Sequence, residues 1–267
     1  MKSTTAIAAL LGAQTILANP ITLVPREPRA AKRLAFRKTH PRIPVSEPSL
    51  TSTNNTDVSY SQNWAGAVLI GTGYKSVTGT ITVPTPKTPS GGSSRTEYAA
   101  SAWVGIDGDT CQTSILQTGV DFYVQGSSVS FDAWYEWYPD YAYTFSGFAI
   151  HAGDQIKMTA SASSTSAGSV TIQNLSTGKS VSHSFSGESD PLCETNAEWI
   201  VEDFESGGAL VPFANFGTVT FTGSSVTETS GTTVGVTGAE IIDIKQNGNV
   251  LTSCSVSGSS TVTCSYV

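Results

Sequence analysis

The sequence predicts an all-β protein, an antiparallel β-sandwich, and three observations lead there. From residue 58 onward the chain is a succession of short alternating runs rich in Val, Thr, Ser, Tyr and Ile, punctuated by Gly, Pro, Ser and Asn. No window of helical length carries apolar residues at a three-to-four residue period. Charged residues are only 13% of the chain, and plentiful Ser and Thr suit sheets whose outer faces are hydroxylated.

Three segments follow one another. Residues 1–18 pass from Lys2 into a run of Ala, Leu and Ile ending in small residues, the pattern of a secretory signal peptide too short to span a membrane. Residues 19–56 carry Arg26, Arg29, Lys32, Arg33, Arg37, Lys38 and Arg42 against Glu27 and Glu47, a net of +5. Residues 57–267 hold six cations against nineteen carboxylates, a net of −13, and form one β domain. A secreted chain meets little nucleic acid, and the basic arm has few apolar residues for a membrane face. The arm therefore reads as a propeptide that lies on the acidic body, inhibits it, and loosens as carboxylates protonate below about pH 4.

Strand parity in the body brings polar groups together. Side chains alternate faces along a strand. In "WVGID", Trp103 and Asp107 share a side; in "ILQTGVDF", Gln117 and Asp121 oppose Leu116, Val120 and Phe122; in "FDAWYEW", Asp132, Trp134 and Glu136 oppose Phe131, Tyr135 and Trp137; in "AEWIVEDFE", Glu198, Ile200 and Glu202 oppose Trp199 and Val201. Tryptophans are core residues by default and strand carboxylates solvated ones. Their recurrence in neighbouring segments instead describes a polar, aromatic-lined groove.

Four cysteines in a secreted body imply two disulfides, Cys111 with Cys193 and Cys254 with Cys264, the latter flanking a hairpin around "SGSS". The absence of CxxC, and a body with only His151 and His183, argue against zinc. Sequons stand at Asn54 and Asn174. The "PSGGSSR" tract, 89–95, reads as an exposed loop. Nucleophilic Ser or Cys chemistry would need a histidine base in a recognisable setting, and aspartic chemistry would need paired Asp-Thr/Ser-Gly turns; neither is present. Three readings stay open at this level: a carboxylate working with an amide, a glycoside hydrolase with Glu136 and Glu202 paired, and a non-catalytic lectin-like module.

Five strings go further. "SQNWAGAVL" (61–69), "VTGTITVP" (77–84), "SAWVGIDGDTCQTSILQTGVDF" (101–122), "FDAWYEWYPDYAY" (131–143) and "CETNAEWIVEDFESG" (193–207) together resemble the glutamic peptidases, the eqolisin family, over essentially the whole body. The basic arm is similar to that family's propeptide. The resemblance implies two bent, packed sheets of concanavalin-like form with the active site on the concave side. It also implies a pepstatin-insensitive acid endopeptidase, acting on protein or peptide substrates without metal or cofactor; on oligomeric state the sequence is silent, and monomer is the default.

By the same resemblance Gln117 is the catalytic amide and Glu202, rather than Glu198, the catalytic carboxylate, with Trp64, Trp103, Asp107, Asp121, Glu136 and Glu205 binding or orienting. The chemistry is coherent. An amide NH2 can hold an oxyanion. A carboxylate near its reference pKa of about 4.3 is still partly ionised at pH 3 to 4, where a histidine base would be idle.

Overall fold

The structure, a computed structural model, describes residues 37–46 and 58–267. The segment read as a signal peptide, most of the arm and the sequon at Asn54 lie outside the described residues.

Twenty strands and no helix occur among the described residues. In chain order they are β1 (Arg37–Lys38), β2 (Val58–Ser61), β3 (Trp64–Ile70), β4 (Tyr74–Thr82), β5 (Tyr98–Ile106), β6 (Ile115–Gln125), β7 (Ser128–Tyr138), β8 (Tyr143–Thr144), β9 (Gln155–Ser164) and β10 (Ala167–Asn174). There follow β11 (Lys179–Ser186), β12 (Asn196–Glu202), β13 (Glu205–Ser206), β14 (Ala209–Leu210), β15 (Thr218–Glu228), β16 (Thr233–Val234), β17 (Glu240–Gln246), β18 (Asn249–Val250), β19 (Thr252–Ser257) and β20 (Thr261–Tyr266).

One sheet runs β11-β10-β9-β4-β15-β20-β19 with β16 on β15, a second runs β18-β17-β3-β12-β5-β6-β7-β8 with β2 on β17, and a small third sheet runs β1-β13-β14. Pairing is antiparallel as expected, except that β2 lies parallel to β17. The first two sheets pack face to face over Val104, Leu116, Val120, Phe122, Trp199 and Phe221, all fully buried. Burying each such side chain contributes roughly 1.5–3 kcal/mol.

The two sheets differ in what covers them. In β9 and β10 burial alternates residue by residue, the mark of a strand with one face in water. Their outward Ser and Thr pair across strands, Ser76 with Ser161 at 2.7 Å and Thr78 with Thr159 at 3.0 Å. In β5 and β12 every residue is buried. Trp199 and Val201 enter the intersheet core, while Ile200 joins Trp64, Trp103, Trp134 and Ile242 in a second cluster on the opposite face. That outer face is covered by residues of the arm.

Both disulfides pair as the spacing suggests. Cys254 and Cys264 are direct partners across the β19–β20 hairpin, and Cys111 joins Cys193, 82 residues apart in sequence. The sequon residue Asn174 closes β10 with its side chain fully buried and its amide nitrogen donating to Asp154 Oδ2 at 2.8 Å.

Candidate active site

Register builds the site in three transverse rows on the covered face of the second sheet. The first row is Glu240, Val68, Glu198, Gly105, Gln117 and Glu136, each paired with the next across β17, β3, β12, β5, β6 and β7. The second holds Ile242, Gly66, Ile200, Trp103, Gly119 and Trp134. The third holds Trp64, Glu202, Ser101, Asp121 and Asp132. Paired residues project to the same side, so Gln117, Glu136, Glu202 and Asp121 share one surface with an indole-lined row between them. Glycine is required within it: a Cβ on Gly119 would stand 2.5 Å from Trp103 Cβ and 2.7 Å from the Trp134 ring.

Trp103 fixes Glu202, its Nε1 donating to Oε2 at 2.9 Å. Trp64 meets Trp103 edge to face, 5.0 Å between centroids. Burial pushes the Glu202 carboxyl well above the usual carboxylate range, against the opposing charge of Arg37. Burial likewise pushes Glu136 up to about 8, again partly countered by Arg37. Gln117 is fully buried, and neither its nitrogen nor its oxygen has a partner. Glu198 is also buried with both oxygens unpartnered; burial, then the charges of Asp107 and Asp109, raise its pKa.

Asp107 has a different placement from the other predicted residues. It ends β5 at φ 72° and accepts from the backbone amides of Cys193, Glu194, Thr195 and Asn196 at 2.8 to 3.1 Å. It anchors the segment that leads into β12, and so supports the strand carrying Glu202 from its far end.

The arm crosses these rows. Arg37 is fully buried, its Nε and Nη2 forking onto Asp121 at 2.5 and 2.8 Å, with Glu136 at 3.6 Å. Its guanidinium carbon lies 3.9 Å from the Trp134 ring centre and 4.6 Å from that of Phe204. Thr39 N–H donates to both Glu136 oxygens at 3.2–3.3 Å, and His40 N–H to Glu202 Oε1 at 3.4 Å. The His40 carbonyl accepts from Trp64 Nε1 and Asn63 Nδ2. His40 Nε2 stands 2.8 Å from Glu205 Oε2, and β1 pairs with β13, which holds Glu205. Every described cation of the arm meets the body, Lys38 over the Tyr138 ring at 5.0 Å and Arg42 against Asp109 and Glu240.

Six of the eight predicted site residues thus share one face of the second sheet, Glu205 meets the arm from β13 through His40, and Asp107 braces from outside. Sequence reasoning missed Asn63, Ser101 and Phe204, which hold the arm's backbone and Arg37. Asn63 and Ser101 sit inside the quoted strings beside or near a tryptophan, but nothing local marks them as contacts.

Comparison with known proteins agrees with this geometry. The sequence profile described as the Peptidase A4 family matches residues 62–266. Aspergillopepsin-2 of Aspergillus niger is 52% identical over 284 aligned residues covering all of both chains. Scytalidopepsin B of Scytalidium lignicola is 46% identical, again over the whole of both. Among solved structures, scytalido-glutamic peptidase with a transition state analog inhibitor matches at 49% identity and TM-score 0.70, over 77% of this chain and 98% of that one. Aspergilloglutamic peptidase from Aspergillus niger matches at 61% identity and TM-score 0.62, over 64% and 99%. The chain therefore belongs to the Peptidase A4 family and is a glutamic endopeptidase of the eqolisin type.

Proposed function

We propose that this chain is the precursor of a secreted, pepstatin-insensitive acid endopeptidase that works with a Gln117/Glu202 dyad and is held inactive by its own arm. The observation that carries the dyad is the buried, unpartnered amide of Gln117 on the face that also presents Glu202. Leaving such a group unpaired costs about 1–3 kcal/mol, and a substrate carbonyl would supply the missing acceptor. An ideal sheet would separate the two Cα atoms, two strands and four residues apart, by about 16 Å. Two long side chains bridging that span leave room for one carbonyl and one water.

In the reaction, the Glu202 carboxylate takes a proton from water as its oxygen attacks the scissile carbonyl carbon. The Gln117 N–H group holds the oxyanion that forms, a contribution of about 3–4 kcal/mol for such a donor. The C–N bond then breaks, and Glu202 returns its proton to the leaving amine. Trp103 keeps the carboxylate aimed throughout. With the arm in place the Glu202 carboxyl is buried and one oxygen faces the His40 amide, where the attacking water would stand. Removing the arm rehydrates it, which reverses the largest influence raising its pKa.

Secretion is supported by the two disulfides and by the character of residues 1–18. The glycoside hydrolase and lectin readings lapse with family membership.

The test is cleavage of denatured protein near pH 3.5 by the acid-activated chain, with and without pepstatin. Cleavage should persist with pepstatin, vanish in Gln117→Ala and Glu202→Gln, and survive in Glu198→Gln. Loss in Glu198→Gln with retention in Glu202→Gln would assign the wrong carboxylate here.

A further inference from the structure

The arm has a second anchor beyond the dyad. Arg42 stands two residues past His40, whose amide meets Glu202. Arg42 Nη1 donates to Asp109 Oδ1 at 2.9 Å and to Glu240 Oε1 at 3.0 Å, and Nη2 donates to Ser59 Oγ at 2.5 Å. The backbone is held on both sides: Arg42 N–H donates to Gly108 O at 3.0 Å, and its carbonyl accepts from Gln112 Nε2 at 3.0 Å. The Arg42 side chain is only 10% exposed, so this is a built pocket.

The walls belong to the body. Asp109 follows β5, Glu240 opens β17 and Ser59 lies in β2, with Ser59 Oγ also donating to Glu240. In the same transverse row as Glu240 lies Glu198, one strand beyond Val68, with a fully buried carboxyl that has no hydrogen-bond partner. Asp107 is satisfied by four backbone amides, whereas burial holds the Glu198 carboxyl in its protonated, neutral form. Once the arm has gone, Asp109 and Glu240 converge on the space the Arg42 guanidinium fills. Two carboxylates set on one nitrogen, with a hydroxyl on the other, match the fork of a guanidinium better than the point charge of an ammonium.

We propose that the hollow between Asp109, Glu240 and Ser59 is a subsite for an arginine side chain of the protein substrate, on the C-terminal side of the bond that is cut. The Gly108 carbonyl and the Gln112 amide would hold any residue there by its backbone, and the carboxylates choose which. This rests on the reading that the face crossed by the arm is the substrate cleft, traversed in the same direction.

Paired peptides test it, carrying arginine or its neutral isostere citrulline at the second, third or fourth residue after the cut, with the acid-activated full chain near pH 5. At one of these positions kcat/KM should favour arginine about tenfold, and the ratio should fall to about twofold or less in Glu240→Gln. Asp109→Asn serves as the second variant and should shrink the same ratio, so a folding defect in either leaves the other to decide. Equal cleavage of arginine and citrulline peptides by the wild type would overturn the subsite while leaving the dyad standing. So would an arginine preference that survives both substitutions. Failure to cut any peptide would overturn the dyad reading, and this subsite with it.

Discussion

Asp203 is expected to make the fold more stable in acid than at neutral pH. It is 1% exposed, its Oδ2 accepts from Gln246 Nε2 at 2.7 Å, and its Oδ1 has no partner. Burial pushes its pKa from 3.8 to about 7. The folded state therefore holds this proton more tightly than the unfolded state. Its stability contribution is fully present below the unfolded value and is lost as pH rises from about 4 to about 7. At 1.36 kcal/mol per unit the loss is about 4 kcal/mol, a large share of the roughly 5–15 kcal/mol that holds a domain together.

Asp203→Asn removes the titration and keeps an oxygen for Gln246. Urea unfolding of the full chain near pH 4 and near pH 7 compares the two proteins. The wild type should lose about 2–4 kcal/mol more than the variant across that interval. A pH-dependent loss equal in both, within ~0.5 kcal/mol, would refute the assignment. Wild-type stability that climbs steadily toward pH 8 would refute the wider expectation that this acidic body is made for acid.

Three further outcomes are expected. Gln117→Met should abolish cleavage yet raise stability by about 1–3 kcal/mol in a denaturant melt, because an unpartnered amide leaves the interior; a melt that falls would mean the amide is satisfied in the free protein. A synthetic peptide of residues 37–45 should inhibit the activated body at pH 5 to 6, and Arg37→Ala should weaken it about a hundredfold by stranding Asp121; no inhibition by the parent peptide would remove the arm's proposed role. Replacing Cys111 and Cys193 by Ala should cost about 4–5 kcal/mol and replacing Cys254 and Cys264 about 3, since the first bridge closes 82 residues and the second 10; the reverse order in unfolding midpoints would show that loop entropy is not what these bridges supply.

Period-two alternation made the essential parity legible. Once "AEWIVE" is a strand, Glu198, Ile200 and Glu202 must share a face, and the structure puts Trp199 and Val201 in the opposite core. The β19–β20 hairpin made Cys254–Cys264 readable because cross-strand partners of a short hairpin are fixed by the turn. Register between distant strands was not readable. That Gln117 pairs with Glu136 across β7, and stands one glycine away from Glu198, depends on long-range pairing that no local pattern encodes. The strand "EIIDIKQ" hides its alternation because both its faces are buried, Ile241 toward one cluster and Ile242 toward the other. Charge asymmetry predicted that the arm would meet acids. It could not say that Arg37 would choose Asp121, 84 residues away.

If Gln117 and Glu202 are the dyad, as proposed, the arm's backbone polarity explains how it lies across them uncut. It turns N–H groups toward the two buried glutamates, Thr39 to Glu136 and His40 to Glu202. Its carbonyls turn elsewhere, His40 O to Trp64 and Asn63, Pro41 O to Asn63. Gln117, the donor that a scissile carbonyl needs, is left without one. Hydrolysis requires the opposite arrangement: a carbonyl oxygen at the amide, its carbon toward a water, and that water on Glu202. On that reading the arm would deny the groove nucleophile and electrophile together, while Arg37 and Arg42 at either end hold its register. On the proposed reading, withdrawing the arm would rehydrate the Glu202 carboxyl and open the hollows that Arg37 and Arg42 fill, leaving the already unpartnered Gln117 amide to a substrate whose carbonyl turns inward.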